Sequence, residues 1–189
     1  MKATDQLKKE HNAVKIMLRV LEKMYKKIES GGEIDLDHLD STIDFFKVFV
    51  DRCHHAKEEN MLFVAMQRTM DPNDGDRIGA LLKDHVSGRN FIRDLAKASI
   101  DYRAGEPGAA EAIVHNARNY ITLLIQHIDI EDNVLYPLAN ERLSAHQQEE
   151  LFQQFDKLEE EEIGVGKHED YHRLIEKLKD IYLHSSNSK

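Results

Sequence analysis

"DRCHHAKEENMLF", residues 51–63, sets two histidines side by side and two glutamates side by side before returning to apolar residues. His54 to Glu58 and His55 to Glu59 are each four residues apart, so on a helix each pair shares a face about one turn apart. The stripe into which one of the pairs fits decides the fold. Upstream, Leu39, Ile43, Phe46 and Val50 recur at helical steps, and the same line runs on through His54, Glu58, Met61 or Leu62, and Ala65. The polar pair therefore extends an apolar seam. His55 and Glu59 stand about 100° further round, at the seam's edge or beyond it, and reach inward only if the helix is rotated.

Three further segments follow the same pattern. Residues 3–29 carry Leu7, His11, Val14, Leu18, Leu21 and Tyr25 on one stripe. The third stripe is Ile78, Leu81 or Leu82, His85, Arg89, Ile92 and Leu95, and the fourth is Ile113, Ala117, Tyr120, Leu124, His127, Glu131, Val134 or Leu135, and Leu138. Turn chemistry separates them. In "SGGEIDLD" Asp35 or Asp37 can cap the second helix, and in "DPNDGD" Asp74 or Asp76 can cap the third. Pro107 suits the first turn of the fourth, which Pro137 should bend or end. Beyond it, Ser144 and Gln147 form a capping box for a shorter helix, and Gly164 and Gly166 part it from a last one whose shared face is His168, Tyr171, Ile175, Leu178 and Tyr182. The expectation is an all-α fold in one domain spanning 1–189. An up-down-up-down four-helix bundle occupies about residues 3–142, with one or two additional C-terminal helices over about 144–184.

Composition narrows the function. The chain has 189 residues, 41% hydrophobic and 32% charged, with three prolines and nine glycines, a mix suited to long amphipathic helices. Twenty-six basic against 35 acidic residues leave a formal charge of -9 with no basic stripe, which argues against nucleic acid. No apolar run is long enough to span a bilayer, and "MKATDQLKKEHNAV" has no signal-peptide core. A cytoplasmic protein that does not enter the membrane is expected. Cys53 is the sole cysteine, so any metal must be held by nitrogen and oxygen.

Four successive helices place a histidine on the seam, and two of them add a glutamate one turn later: His11; His54 with Glu58; His85; His127 with Glu131. A lone histidine on such a face is more often a hydrogen-bonded core residue, and a lone HxxxE is often a solvated ion pair. Six such residues in register are a different matter. Antiparallel neighbours bring His11, early in its helix, level with His54, late in its own, and likewise His85 with His127. Two glutamates buried in apolar surroundings need a compensating charge, which a pair of metal ions supplies. Imidazole plus carboxylate without thiolate suits iron or manganese more than structural zinc.

On "HHAKEENMLF", "HIDIEDNVLYP", "KDHVSGRNF" and the early His11, residues 5 to about 140 resemble the hemerythrin-like family, also called the HHE cation-binding domain. The resemblance implies two non-haem irons in a four-helix bundle, joined by an oxo or hydroxo bridge. His11, His54, His85 and His127 would then be terminal ligands, and Glu58 and Glu131 bridging carboxylates. Oxygen-carrying members have HxxxH on the third helix; here the second position is Arg89, which has no lone pair for a metal. With about twelve positions on two octahedral irons, these ligands and one solvent bridge fill about ten. His168, on the apolar face of the last helix, is a candidate for one vacancy and equally a packing or capping residue. Arg89 can instead hold a bridging carboxylate or steady an anion.

The implied activity is binding or reductive handling of O2, NO or peroxide, with apolar walls from Leu18, Phe46, Val50, Leu62, Leu81 and Leu124. Two alternatives are an iron-centre repair protein, whose longer form carries a cysteine-bearing N-terminal segment, and a redox or oxygen sensor whose last helices report to a partner. A protein partner or a second copy of the chain stays open. No nucleotide-binding loop and no Ser/His/Asp arrangement stands out.

Overall fold

A computed structural model describes residues 2–69, 72–162, 164 and 167–184, with the side chains of 72–74, 162, 167 and 168 outside the description. Six helices are found among the described residues, and no strand: α1 (Ala3–Glu29), α2 (36–67), α3 (Pro72–Arg103), α4 (109–142), α5 (Ala145–Glu162) and α6 (167–184). The all-α expectation holds.

Local chemistry sets most of the ends. Asp35 caps α2, accepting from the Asp37 amide at 2.9 Å, and the expected capping box of Ser144 and Gln147 opens α5. After α1, Gly31 takes φ +78° and its amide bonds the Ile28 carbonyl, a left-handed exit that costs a residue with a Cβ. Three expectations need correction. α3 starts at Pro72, so Asp74 and Asp76 lie inside it and not at its N-cap position. Pro107 lies in the turn before α4, whose N-cap is Gly108 at φ +80°. Pro137 does not end α4, which continues to Arg142. The reason is a wide π turn over Glu131–Leu135, where the Tyr136 amide reaches back to the Glu131 carbonyl. In that register Pro137 would face the Asp132 carbonyl, and Lys8 Nζ donates to that carbonyl instead, at 2.8 Å.

Side-chain pairs fix the topology. Thr4 meets Asn140, Lys15 meets Asp132, and Arg118 meets Glu29, so α1 and α4 run antiparallel. Arg89 with Asp51 and Ser99 with Asp40 do the same for α2 and α3, and Thr42 with Met24 and His54 with Glu10 for α1 and α2. The four form the expected up-down-up-down ring. α5 and α6 cover one face of it: Gln148 caps the Ala3 amide, Tyr171 bonds Asp44, and His38 meets Tyr182.

The core is in two parts. One apolar cluster runs from Val14, Cys53, Ile92 and Ile128 toward one end of the bundle, and a second lies around Leu7, Leu62, Leu81 and Leu135 toward the other. Between them sits a buried polar layer of His11, His54, His55, Glu58, His85, His127 and Glu131. Closure of this layer by apolar packing on both sides is what places its chemistry out of water. No described helix is long and apolar enough to cross a membrane.

Candidate metal centre

All four seam histidines and both seam glutamates converge. Two overlapping groups can each hold a cation, with ligand atoms within 4.8 Å of one another: His11, His54, Glu58 and Glu131; and His55, Glu58, His85 and His127. Glu58 belongs to both. The Glu131 carboxylate also spans them, with Oε2 3.3 Å from His11 Nε2 and Oε1 3.1 Å from His127 Nε2.

His55 is the residue that α-helical phase places outside. It is 4% exposed, and its ring stacks on His85 with centroids 3.9 Å apart. The cause is local: Phe46–His55 is π-helical, as is Glu58–Leu62. A wider turn shortens the angular step between neighbours, so His54 and His55 both face the bundle interior. Two short π segments, "EENML" and "EDNVL", each start at a seam glutamate, and such bulges often mark functional positions.

The outward nitrogens settle the tautomers. His11 Nδ1 meets Asp132 at 2.8 Å, His54 Nδ1 meets Glu10 at 2.7 Å, His85 Nδ1 meets Glu59 at 2.7 Å, and His127 Nδ1 lies 3.4 Å from Asp84. A carboxylate only accepts, so each Nδ1 carries the hydrogen and each Nε2 presents a lone pair inward. His55 Nδ1 stands 3.5 Å from Asp51 Oδ1, at the limit of such a bond. Of the acids of this ring, Glu59 was weighed from the sequence beside His55, whereas Glu10, Asp51, Asp84 and Asp132 were not read there as site residues. Glu10 and Asp84 did leave a signal: each directly precedes a seam histidine.

The inner geometry fits cations. His11 Nε2 and His54 Nε2 are 3.0 Å apart, as are His85 Nε2 and His127 Nε2; with lone pairs facing, each contact calls for positive charge between the rings. Glu58 Oε2 and both Glu131 oxygens find no hydrogen-bond donor among the described residues. Tyr136 donates to the remaining Glu58 oxygen at 2.6 Å. Burial, then the charge of Glu131, drives the Glu58 carboxyl well above the ordinary range; burial also opposes charge on Glu131, but His127 and His11 hold it well below. Burial, followed by the nearby His11, lowers His54 to about 4 despite Glu10. A pair of buried carboxylates with orphaned oxygens, facing a ring of imidazoles that turn Nε2 inward, is the donor set of a metal site.

Arg89 does not touch the shared carboxylates. It bonds Asp51 at 2.7 Å and Glu59 at 2.6 Å, bracing the acid that holds His85. Burial opposes charge on Glu59, yet His85 and Arg89 together hold its carboxyl below the usual range. The side chain of His168 lies outside the described residues, so its candidacy as a ligand stands where the sequence left it. Of the expected apolar walls, Val50 and Leu124 line a small cavity beside the histidines, together with Val14 and Ile128.

The hemerythrin HHE cation binding domain family matches residues 2–139. The chain belongs to that family of cation-binding helical proteins. It is similar to uncharacterized protein Mb2018 of Mycobacterium bovis and uncharacterized protein Rv1995 of Mycobacterium tuberculosis, each 20% identical over 179 residues that make up 95% of this chain and 68% of the relative. No solved structure matches the chain at a significant level.

Proposed function

We propose that the chain holds two iron ions at these two groups and binds, or reduces, a small ligand of the O2, NO or peroxide class. The observation that carries this is the sharing of carboxylates: Glu58 stands in both groups, and the two oxygens of Glu131 are divided between them. Donors of nitrogen and oxygen alone favour iron over a structural zinc, and Cys53 is in neither group.

The chain's own residues have separate tasks. Glu58 and Glu131 span the two positions, and His11, His54, His55, His85 and His127 complete them. Four outer acids, Asp132, Glu10, Glu59 and Asp84, hold the rings of His11, His54, His85 and His127 by Nδ1 so that Nε2 faces inward. Tyr136 donates its single hydroxyl hydrogen to one oxygen of Glu58, fixing that carboxylate, and sets the hydroxyl 3.4 Å from His11 Nε2. Val14, Val50, Leu124 and Ile128 line the histidines with apolar side chains and leave no room for a large organic substrate. Bound iron supplies redox activity and a Lewis-acidic open position. The His11/His54 group offers two imidazoles against three opposite, so an ion held there would have the more open coordination.

The reading is tested by the optical spectrum of aerobically purified protein with and without azide or NO. A ligand-to-metal charge-transfer band in the near ultraviolet, with a new visible band on azide addition, is expected. A fully loaded protein without either band contradicts the proposal.

A further inference from the structure

Lys57 is 0% exposed, covered by α5 where that helix packs on α1 and α2. Its ammonium donates to Glu10 Oε1 at 2.6 Å and to Glu159 Oε1 at 2.5 Å, and lies 5.8 Å from the centre of the Phe155 ring. Gln6 donates to the same Glu159 oxygen at 3.1 Å. The other oxygen of Glu10 takes the Nδ1 hydrogen of His54 at 2.7 Å. An unbroken chain of charged contacts therefore runs from α5 through α2 and α1 to a histidine of the metal centre. Burying such charges costs several kcal/mol per ion unless each is well paired, so the arrangement is not incidental packing.

The chain on the opposite side is not buried in this way: Arg89, which bonds Asp51 and Glu59 and through Glu59 reaches His85, is 38% exposed. The residue corresponding to Lys57 in the α4 phrase is Ile130, which is 41% exposed. Asp84, which corresponds to Glu10, is one-third exposed and stands 3.4 Å from His127. Glu159 also lies beyond the residues that match the family, 2–139.

We propose that Glu159 and Lys57 are positioning residues for the metal centre, making α5 part of the two-histidine position by fixing the His54 ring through Glu10. The proposal rests on the two-position reading above. Without the Glu159 charge, the Lys57 ammonium is balanced by Glu10 alone and draws electron density from it. Glu10 then becomes a poorer acceptor, and His54 is both looser and less basic as a ligand. Changes to such outer partners commonly cost between about ten- and a hundredfold in metal affinity.

The test uses the full chain freed of metal and titrated with Co(II), comparing the parent with Glu159→Gln, which is isosteric and partly exposed. The weaker of the two binding steps, that of the position with fewer nitrogens, should fall about tenfold while the stronger changes by less than about twofold. Glu159→Asp, which keeps the charge, should fall between, and Asp84→Asn should weaken the other step instead. In metal-free Glu159→Gln the His54 Nδ1 hydrogen should exchange faster with solvent, read by NMR. Equal weakening of both steps, or no weakening, or unchanged hydrogen exchange, overturns the proposal. A parent that takes up only one Co(II) contradicts the two-position centre, and the exchange measurement then decides the role of Glu159 and Lys57 by itself.

Discussion

The two sides of the metal centre are near copies of each other, and their differences are more informative than their likeness. On one side His11 from α1 meets Asp132 from α4 and Glu10 from α1 meets His54 from α2; on the other His85 from α3 meets Glu59 from α2 and Asp84 from α3 meets His127 from α4. One turn after each histidine a cation braces the facing acid, Lys15 on Asp132 and Arg89 on Glu59. An aromatic ring stacks on each: Tyr136 on His11 at 5.4 Å and Phe63 on His85 at 6.1 Å. His54 and His127 close the pattern, each with Nε2 at 3.0 Å from its neighbour's. The copies part at one pair above all: His55 corresponds to Ile128. One position thus has three imidazoles and the other two, with a hydroxyl in place of a phenyl edge beside it. Symmetry builds the cage, and the substitutions leave one side open.

The largest effect should come from removing what both sides share. Glu58→Ala should lose both ions, and its melting temperature should no longer respond to a chelator. In the parent, metal present at about a thousandfold over its dissociation constant contributes about 4 kcal/mol. Chelation should then lower the melting temperature by roughly 10 °C for a chain of this size. An equal chelator response in parent and variant would contradict the shared role.

Next come changes that strip one side. His11→Ala and His55→Ala should each retain one ion per chain, counted by elemental analysis, and the two residual ions should differ in spectrum. If His55→Ala keeps both, the three-imidazole side is wrong. A more pointed change repairs the asymmetry: Ile128→His offers the open side its missing imidazole. Both ions should stay, and azide affinity should fall by roughly tenfold, about 1.4 kcal/mol. Unchanged azide affinity would place the open position elsewhere. Smallest of all is Arg89→Lys, which makes the braces on the two sides alike. Arg89 is 38% exposed, and for such pairs the expected cost is below about 1 kcal/mol, with metal content unchanged. Loss of an ion would show that the two-pronged hold on Asp51 and Glu59 is needed.

Much of this was legible in the sequence, because a regular helix repeats and the seam shows wherever it does. His11, His54, Glu58, His85, His127 and Glu131 all sit on stripes, and all six meet. His55 was misplaced for one reason: the α-helical step was carried through Phe46–His55, where the backbone takes the wider turn. Nothing in the residue types marks that change. Pro137 misled in the same way, since the π turn before it and Lys8 together remove the usual penalty. Asp51 and Glu59, the partners of Arg89 on α2, could not be read from α3. Lys57 is the extreme case: in "HHAKEEN" it reads as a solvated charge, and its partner Glu159 is 102 residues away. Burial of a charge is decided by whatever packs over it, and amphipathic spacing in α5 shows that it packs, not where.

The central claim is that two metal positions share Glu58 and Glu131, and the most direct measurement is the metal count of the aerobically purified chain. About two irons per chain are expected, falling to about one in His11→Ala. One ion per chain in the parent, or zinc alone, would contradict it.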